Sequence, residues 1–263
     1  MIETVELSTR VSGSGEPLVI AHGLFGSSRN WSALAQSLSE NYQVWCVDQR
    51  NHGESPHAET MGYPEMAADL LALLDREGLE RVHLIGHSMG GKTAMWFALH
   101  HPRRVKRLMV VDIAPVSYRH DYEGMVAAMR GIDFSLLGRR DQVDAALRAV
   151  VAEPGVRQFL LTNLVNREGQ FQWRVNLAAI GAALPALTAF PDVNAGICYD
   201  GPTLLLGGAN SPYLRSEHEP RIFRLFPNAE IVHLPATGHW VHAERPQEFL
   251  RIAQRFFAGE ACS

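Results

Sequence analysis

An α/β architecture with a mostly parallel sheet follows from three features of the sequence. Short β-branched or aromatic runs alternate with segments of helical spacing from Pro17 to Pro115. The alternation stops between Val116 and about Tyr199, where only helical windows occur, and then resumes with two apolar runs and a closing amphipathic helix. Strands that alternate with helices need crossover connections, which place the strands parallel and cover both sheet faces.

The first strand is "PLVIAHG" and the second "YQVWCVD", each ended by glycine or polar residues. Between them "NWSALAQSLSE" spaces Trp31, Leu34 and Leu38 on one helical face. "YPEMAADLLALLDREG" predicts a helix with Pro64 in its first turn and Gly78 at its end, followed by the strand "VHLIGHS". "GGKTAMWFALHHP" is a helix stopped by Pro102, and "VKRLMVVDIAP" a strand stopped by Pro115. No strand is expected between Val116 and Tyr199; the windows "YEGMVAAMRG", "DQVDAALRAVVAE", "GVRQFLLTNLV" and "VNLAAIGAALPAL" all read as helices, a helical insertion. "PTLLLGG" and "AEIVHLP" restart the sheet, and "RPQEFLRIAQRFFAG" closes the chain with the stripe Phe249, Ile252, Ala253, Phe256 and Phe257.

A chain of 263 residues suits one domain, or one domain with a sizeable insertion, and can bury a substantial core. Its 24 Lys and Arg against 28 Asp and Glu give a formal charge of -4 with no long run of either sign, which argues against a nucleic-acid partner. The 3 cysteines, Cys46, Cys198 and Cys262, are far apart and read as reduced thiols of a cytoplasmic protein. "MIETVELSTR" has the composition of neither a secretory signal nor a transit peptide. The longest uncharged stretch, Val175 to Pro191, falls short of the ~20 apolar residues of a spanning helix, so no membrane span is expected.

The sharpest local signal is Gly86-His87-Ser88-Met89-Gly90, a G-x-S-x-G pattern between an apolar strand and a helix. Such a turn lifts a serine hydroxyl above the sheet edge, and its glycines avoid collisions that side chains would cause. A serine hydroxyl is a weak nucleophile at neutral pH; it needs a base in hydrogen-bond reach and donors for the oxyanion that forms. The Met89 N–H, at a positive helix terminus, is one candidate donor. The second is expected from "AHGLFGSSRNW", with Leu24 favoured over Phe25.

Of the 12 histidines, His239 is the candidate base. It follows the last strand in "LPATGHWVHAERP", at the sheet end that carries Ser88, and Gly238 lets its loop reach across. His100 and His101 end a helix, His83 and His233 lie inside strands, and His57, His120 and His218 sit in polar segments. His22 and His87 belong to the tight turns and are expected to support the site, with Trp240 beside the base as a further neighbour. His239 and His242 form an H-x-x-H pair, but on a loop with no third ligand nearby, so no metal is expected.

The stretches "HGLFGS", "DQRNHGESP", "GHSMGGK", "VVDIAP", "FLLTNLV", "WRVNL", "GGANSPY" and "GHWVHAERP" together resemble the α/β-hydrolase superfamily, and more narrowly small esterases of the bacterial YbfF type and their mitochondrial abhydrolase relatives. The resemblance implies an α/β-hydrolase core formed by residues 1–115 and 200–263, with residues 116–199 as a helical cap inserted after the acid-bearing strand. It implies a serine esterase or thioesterase acting on a small acyl ester or thioester without a cofactor.

One part of that machinery is displaced. "LLLGGANSPYL" reads as the strand and loop where many such hydrolases keep their acid, yet Asn210 and Ser211 stand there. Asp112, at the end of "LMVVDIAP", should emerge at the same sheet edge and preserves the order Ser88, Asp112, His239. Asp48 is its rival, read as a loop organiser with Arg50, His52 and Ser55; Asn210 and Ser211 then become polar neighbours able to hydrogen-bond Asp112 or His239. The same triad serves carbon–carbon bond hydrolysis of diketones, and the fold also carries idle receptors, but the motifs favour ester or thioester cleavage. In the insertion, Met125, Met129, Phe134, Phe159, Leu160 and Trp173 are candidates for either its own core or a pocket wall.

Overall fold

The computed structural model describes residues 2–119 and 122–260; His120 and Cys262 lie outside the described residues. The chain begins with β1 (Thr9–Ser12), β2 (Glu16–Ala21), α1 (Ser32–Leu38) and β3 (Tyr42–Val47). Then come α2 (Tyr63–Arg76), β4 (Val82–His87), α3 (Met89–His100) and β5 (Val105–Val111). The insertion holds α4 (Tyr122–Arg130), α5 (Arg140–Leu147), α6 (Pro154–Leu161), β6 (Leu164–Arg167), β7 (Gln170–Trp173) and α7 (Leu177–Thr188). β8 (Thr203–Gly208), α8 (Glu219–Leu225), β9 (Ala229–Leu234), α9 (Val241–Glu244) and α10 (Pro246–Ala258) complete the fold.

Among the described residues, the main sheet has 7 strands in the order β1-β3-β2-β4-β5-β8-β9. Only β1 is antiparallel to its neighbour, with Thr9 opposite Val47. β4 and β8 are buried along their whole length, as central strands covered on both faces must be. Alternate residues feed two cores. Val19, Leu84, Leu108 and Val110 pack with Leu73 of α2, Phe97 of α3 and Leu225 of α8. Leu18, Ile20, Ile85 and Met109 pack with Leu38 of α1 and with the predicted stripe of α10, all five residues of which are buried.

The turn around Ser88 depends on close backbone packing. A Cβ on Gly86 would stand 2.2 Å from the Gly90 carbonyl oxygen, and one on Gly90 would stand 2.3 Å from that of Ala21. Both are far inside van der Waals contact, so glycine is required at each position if α3 is to start this close to β2 and β4.

The all-helical reading of the insertion is corrected. α6 stops at Leu161, and "LVNR" and "QFQW" pair as an antiparallel hairpin, Leu164 opposite Trp173. Glu168 and Gly169 both have positive φ, 53° and 88°, the backbone of a two-residue hairpin turn. That Glu-Gly turn outweighs a helical periodicity carried on from α6.

The two stems of the insertion meet over α3. Tyr118 N–H donates to the Thr188 carbonyl (3.0 Å). Lys92 Nζ donates to the carbonyls of Thr188 (2.9 Å) and Ala189 (2.8 Å), and Tyr63 Oη donates to that of Leu187 (2.5 Å). These bonds satisfy carbonyls left open at the end of α7. No helix among the described residues is long and apolar enough to cross a membrane.

Candidate active site

Ser88 sits between β4 and α3 with φ 52° and ψ −117°, a strained conformation for a residue with a side chain. Its N–H is held by the Val111 carbonyl at 3.0 Å, which fixes the turn against the end of β5. The next amide, that of Met89, opens α3 and has no acceptor among the described residues. On the facing loop Phe25 N–H is engaged, donating to His52 Nε2 (3.1 Å), and Gly26 N–H donates to the Gly23 carbonyl (2.9 Å). Leu24 N–H is left without an acceptor among the described residues. His52 can serve as that acceptor because burial pushes it down to about 3, and its other nitrogen donates to the Arg50 carbonyl at 3.0 Å.

Asp112 follows β5 at φ 51° and is fully buried. A buried carboxylate must have its lone pairs occupied. Asp112 Oδ1 accepts from Gly208 N–H (2.9 Å), while Oδ2 accepts from Ser211 Oγ and from His239 Nδ1 (2.7 Å). The Asp112 pair fixes which His239 nitrogen carries the proton and leaves Nε2 free to accept one. Asp48 has other work: it accepts from Ser28 N–H (2.6 Å) and Glu54 N–H (2.9 Å), the organising role expected of it.

His239 is held on every side. Its carbonyl accepts from His87 Nε2 (3.0 Å), and Glu244 accepts the amides before and after it, Gly238 N–H at 2.8 Å and Trp240 N–H at 3.3 Å. The Tyr213 ring packs on the imidazole with centroids 4.2 Å apart, and the His87 ring lies 4.7 Å away. Burial, followed by repulsion from His242 and His239, drives His87 well below the ordinary histidine range, so it is neutral. His242 stacks on Trp31 at 4.3 Å and presents its ring to His87, with centroids 4.6 Å apart.

Ser88 and His239 open onto one cavity of about 440 Å³, whose wall also includes Leu24, Phe25, His87 and Trp240. The Ser88 hydroxyl makes no hydrogen bond among the described residues. Met125, Phe159 and Leu160 of the insertion line this cavity, whereas Met129 is buried in the insertion's own core under Trp173, whose Nε1 donates to the Met129 carbonyl at 2.8 Å. Phe134 packs edge-on against the same Trp173.

Ser211 meets Asp112 as expected, but Asn210 does not. Its side chain is exposed and touches neither Asp112 nor His239; only its N–H is used, donating to the Thr237 carbonyl (2.9 Å). Residues 208–211 form a tight turn closed by Ser211 N–H donating to the Gly208 carbonyl (2.9 Å), which leaves Asn210 at the exposed turn position and Ser211 facing the acid. Three residues at the site carried no role in the sequence reading. Tyr213 stood in "GGANSPY" and Glu244 in "GHWVHAERP". Lys92, in "GHSMGGK", is buried between the rings of Tyr118 and Tyr63, 4.8 and 5.8 Å from their centroids, and desolvation lowers its pKa to about 7.

Residues 16–246 match the family described as alpha/beta hydrolase fold. The sn-1-specific diacylglycerol lipase ABHD11 of Xenopus laevis is 45% identical over 250 residues, covering 92% of this chain and 80% of that protein. Esterase YbfF of Escherichia coli strain K12 is 37% identical over 246 residues, covering 92% of this chain and 93% of that protein. Among solved structures, a marine microorganism esterase superposes with a TM-score of 0.93 at 39% identity, covering 96% of this chain and all 100% of that one.

Proposed function

The chain belongs to the α/β-hydrolase fold family, and from that premise we propose that it is a serine esterase that cleaves carboxylic esters or thioesters through an acyl-Ser88 intermediate. The observation that carries the reading is the buried Asp112–His239 pair, 2.7 Å from Oδ2 to Nδ1, opening onto the same cavity as Ser88. The names of the relatives, an esterase and a diacylglycerol lipase, support it.

In this reading Ser88 Oγ attacks the substrate carbonyl carbon while His239 Nε2 takes the hydroxyl proton, and Asp112 stabilises the imidazolium that results. The carbonyl oxygen gains negative charge between the Leu24 and Met89 amides, which are unengaged and need no reorganisation. Collapse breaks the bond to the alcohol or thiol, which leaves with the proton from His239. Water then attacks the acyl-serine with His239 as base, releasing the acid and restoring Ser88. Residues 116–199 serve as a cap, since α4 and α6 supply cavity wall opposite Ser88.

Replacing the nucleophile tests the reading. Ser88→Ala should lower kcat by a factor on the order of 10³ to 10⁶ with the fold retained, and a fluorophosphonate probe should label the parent and not the variant. Full ester hydrolysis by Ser88→Ala would refute it.

A further inference from the structure

Ser88 borders a second, smaller chamber besides the large cavity. The two share Leu24, Ser88, Tyr122 and Tyr213 and differ in what else they hold. The large one, about 440 Å³, contains His239 and has Met125, Val156, Phe159, Leu160 and Trp240 as apolar wall. The small one, about 30 Å³, contains Met89 but not His239, and is lined by Ile113, Leu187 and the buried Lys92.

Proton transfer decides which part of an ester occupies which space. His239 must hand its proton to the departing oxygen, so the alcohol portion has to lie on the His239 side of Ser88. The oxyanion points at Leu24 and Met89. The acyl tail, the remaining substituent of the tetrahedral carbon, is then directed into the chamber without the histidine. A water-sized group needs roughly 10–15 Å³ of such space, so the inner chamber takes a tail of about two or three non-hydrogen atoms. The outer cavity, within the range of drug-sized sites of about 300–1,000 Å³, takes far more.

We propose, building on the serine-esterase reading, that this enzyme selects short-acyl esters, acetyl to butyryl, of bulky apolar alcohols, with the acyl group in the chamber bounded by Ile113, Leu187 and Lys92 and the alcohol in the cavity bounded by Phe159, Leu160 and Trp240. The alcohol is uncharged or cationic, because the ionisable carboxylates of the outer wall are Glu153 and Glu244, and no Lys or Arg lines it among the described residues. The inner walls do not yield readily: Leu187 is held through its carbonyl by Tyr63, and Lys92 through two carbonyls at the α7 end.

Two substrate series on the parent enzyme test this. With p-nitrophenol fixed, kcat/KM should fall about 100-fold or more from the acetyl to the octanoyl ester, because each surplus methylene must displace packed wall. With acetate fixed, kcat/KM should rise about tenfold or more from ethyl to octyl acetate, whose alcohols have nearly equal leaving ability. Leu187→Ala should restore octanoyl hydrolysis at least tenfold relative to acetyl. Serine-dependent hydrolysis that favours octanoyl over acetyl esters would overturn the chamber assignment and leave the serine mechanism standing. Hydrolysis of neither series, or equal hydrolysis by Ser88→Ala, would overturn both.

Discussion

Asp112→Asn exchanges one oxygen for an NH2 group of the same size, so its effect falls on hydrogen bonding and not on packing. The carboxylate accepts three hydrogen bonds, from Gly208 N–H, Ser211 Oγ and His239 Nδ1, and donates none. An amide placed there must turn its NH2 toward one side. Toward Gly208 it sets two donors face to face in a fully buried position, which costs roughly 1–3 kcal/mol. Toward His239 it makes Nδ1 an acceptor, moves the proton to Nε2, and removes the lone pair that should receive the Ser88 proton. Either way the imidazolium loses its counter-charge. The expected loss is on the order of 10⁴ in kcat, equivalent to about 5.5 kcal/mol at 1.36 kcal/mol per factor of ten, with little change in KM. Ser211→Ala removes one supporting hydrogen bond, worth about 1 kcal/mol, and should cost roughly tenfold or less. Steady-state hydrolysis of p-nitrophenyl acetate, with thermal unfolding to verify the fold, separates the two variants. An Asp112→Asn enzyme with near-parental kcat would refute the assignment of the acid.

Glu244→Ala frees the Gly238 and Trp240 amides that bracket the imidazole, and should lower kcat about tenfold while leaving KM for small esters unchanged; an unchanged kcat means the loop is rigid without it. Lys92 titrates at about 7 when folded and near 10.4 when unfolded, so the unfolded chain binds more protons between those values and stability should rise with pH across that window. In Lys92→Met, urea midpoints measured from pH 6 to 10 should lose that rise, on the order of a few kcal/mol. Gly90→Ala forces a Cβ against the Ala21 and His22 carbonyl oxygens and should destabilise by about 3 kcal/mol or more, read as a lower unfolding midpoint.

How much of this could be read from the sequence depended on how local each signal was. The Ser88 turn announces itself because its steric requirement, two glycines around a strained serine, lies within five consecutive residues, Gly86 to Gly90. Asp112 was legible only through topology: β5 and β8 are neighbours and their ends coincide, which brings "VVDIAP" beside "GGANSPY". The choice between Asn210 and Ser211 was not legible, since it turns on the orientation of a loop held by the Thr237 carbonyl. The β6–β7 hairpin was hidden by four-residue strands whose apolar spacing continues that of α6. Lys92 left no local trace, because the carbonyls that justify burying it belong to Thr188 and Ala189, on the far side of the insertion.

The meeting of the insertion's stems has a topological consequence. One hydrogen bond joins Tyr118 to Thr188, so the sheet sees the whole intervening segment as a closed loop with its ends already together. Closure entropy grows only with the logarithm of loop length, each doubling adding about 0.6 kcal/mol. The length and architecture of that segment are thereby uncoupled from the strand order beneath it. A graft that keeps the Tyr118 and Thr188 stem and its Lys92 anchor could exchange everything between them without re-registering β5 against β8. The stem is a splice point at which the segment between Tyr118 and Thr188 can be traded as a unit, while Ser88, Asp112 and His239 stay on the scaffold that aligns them.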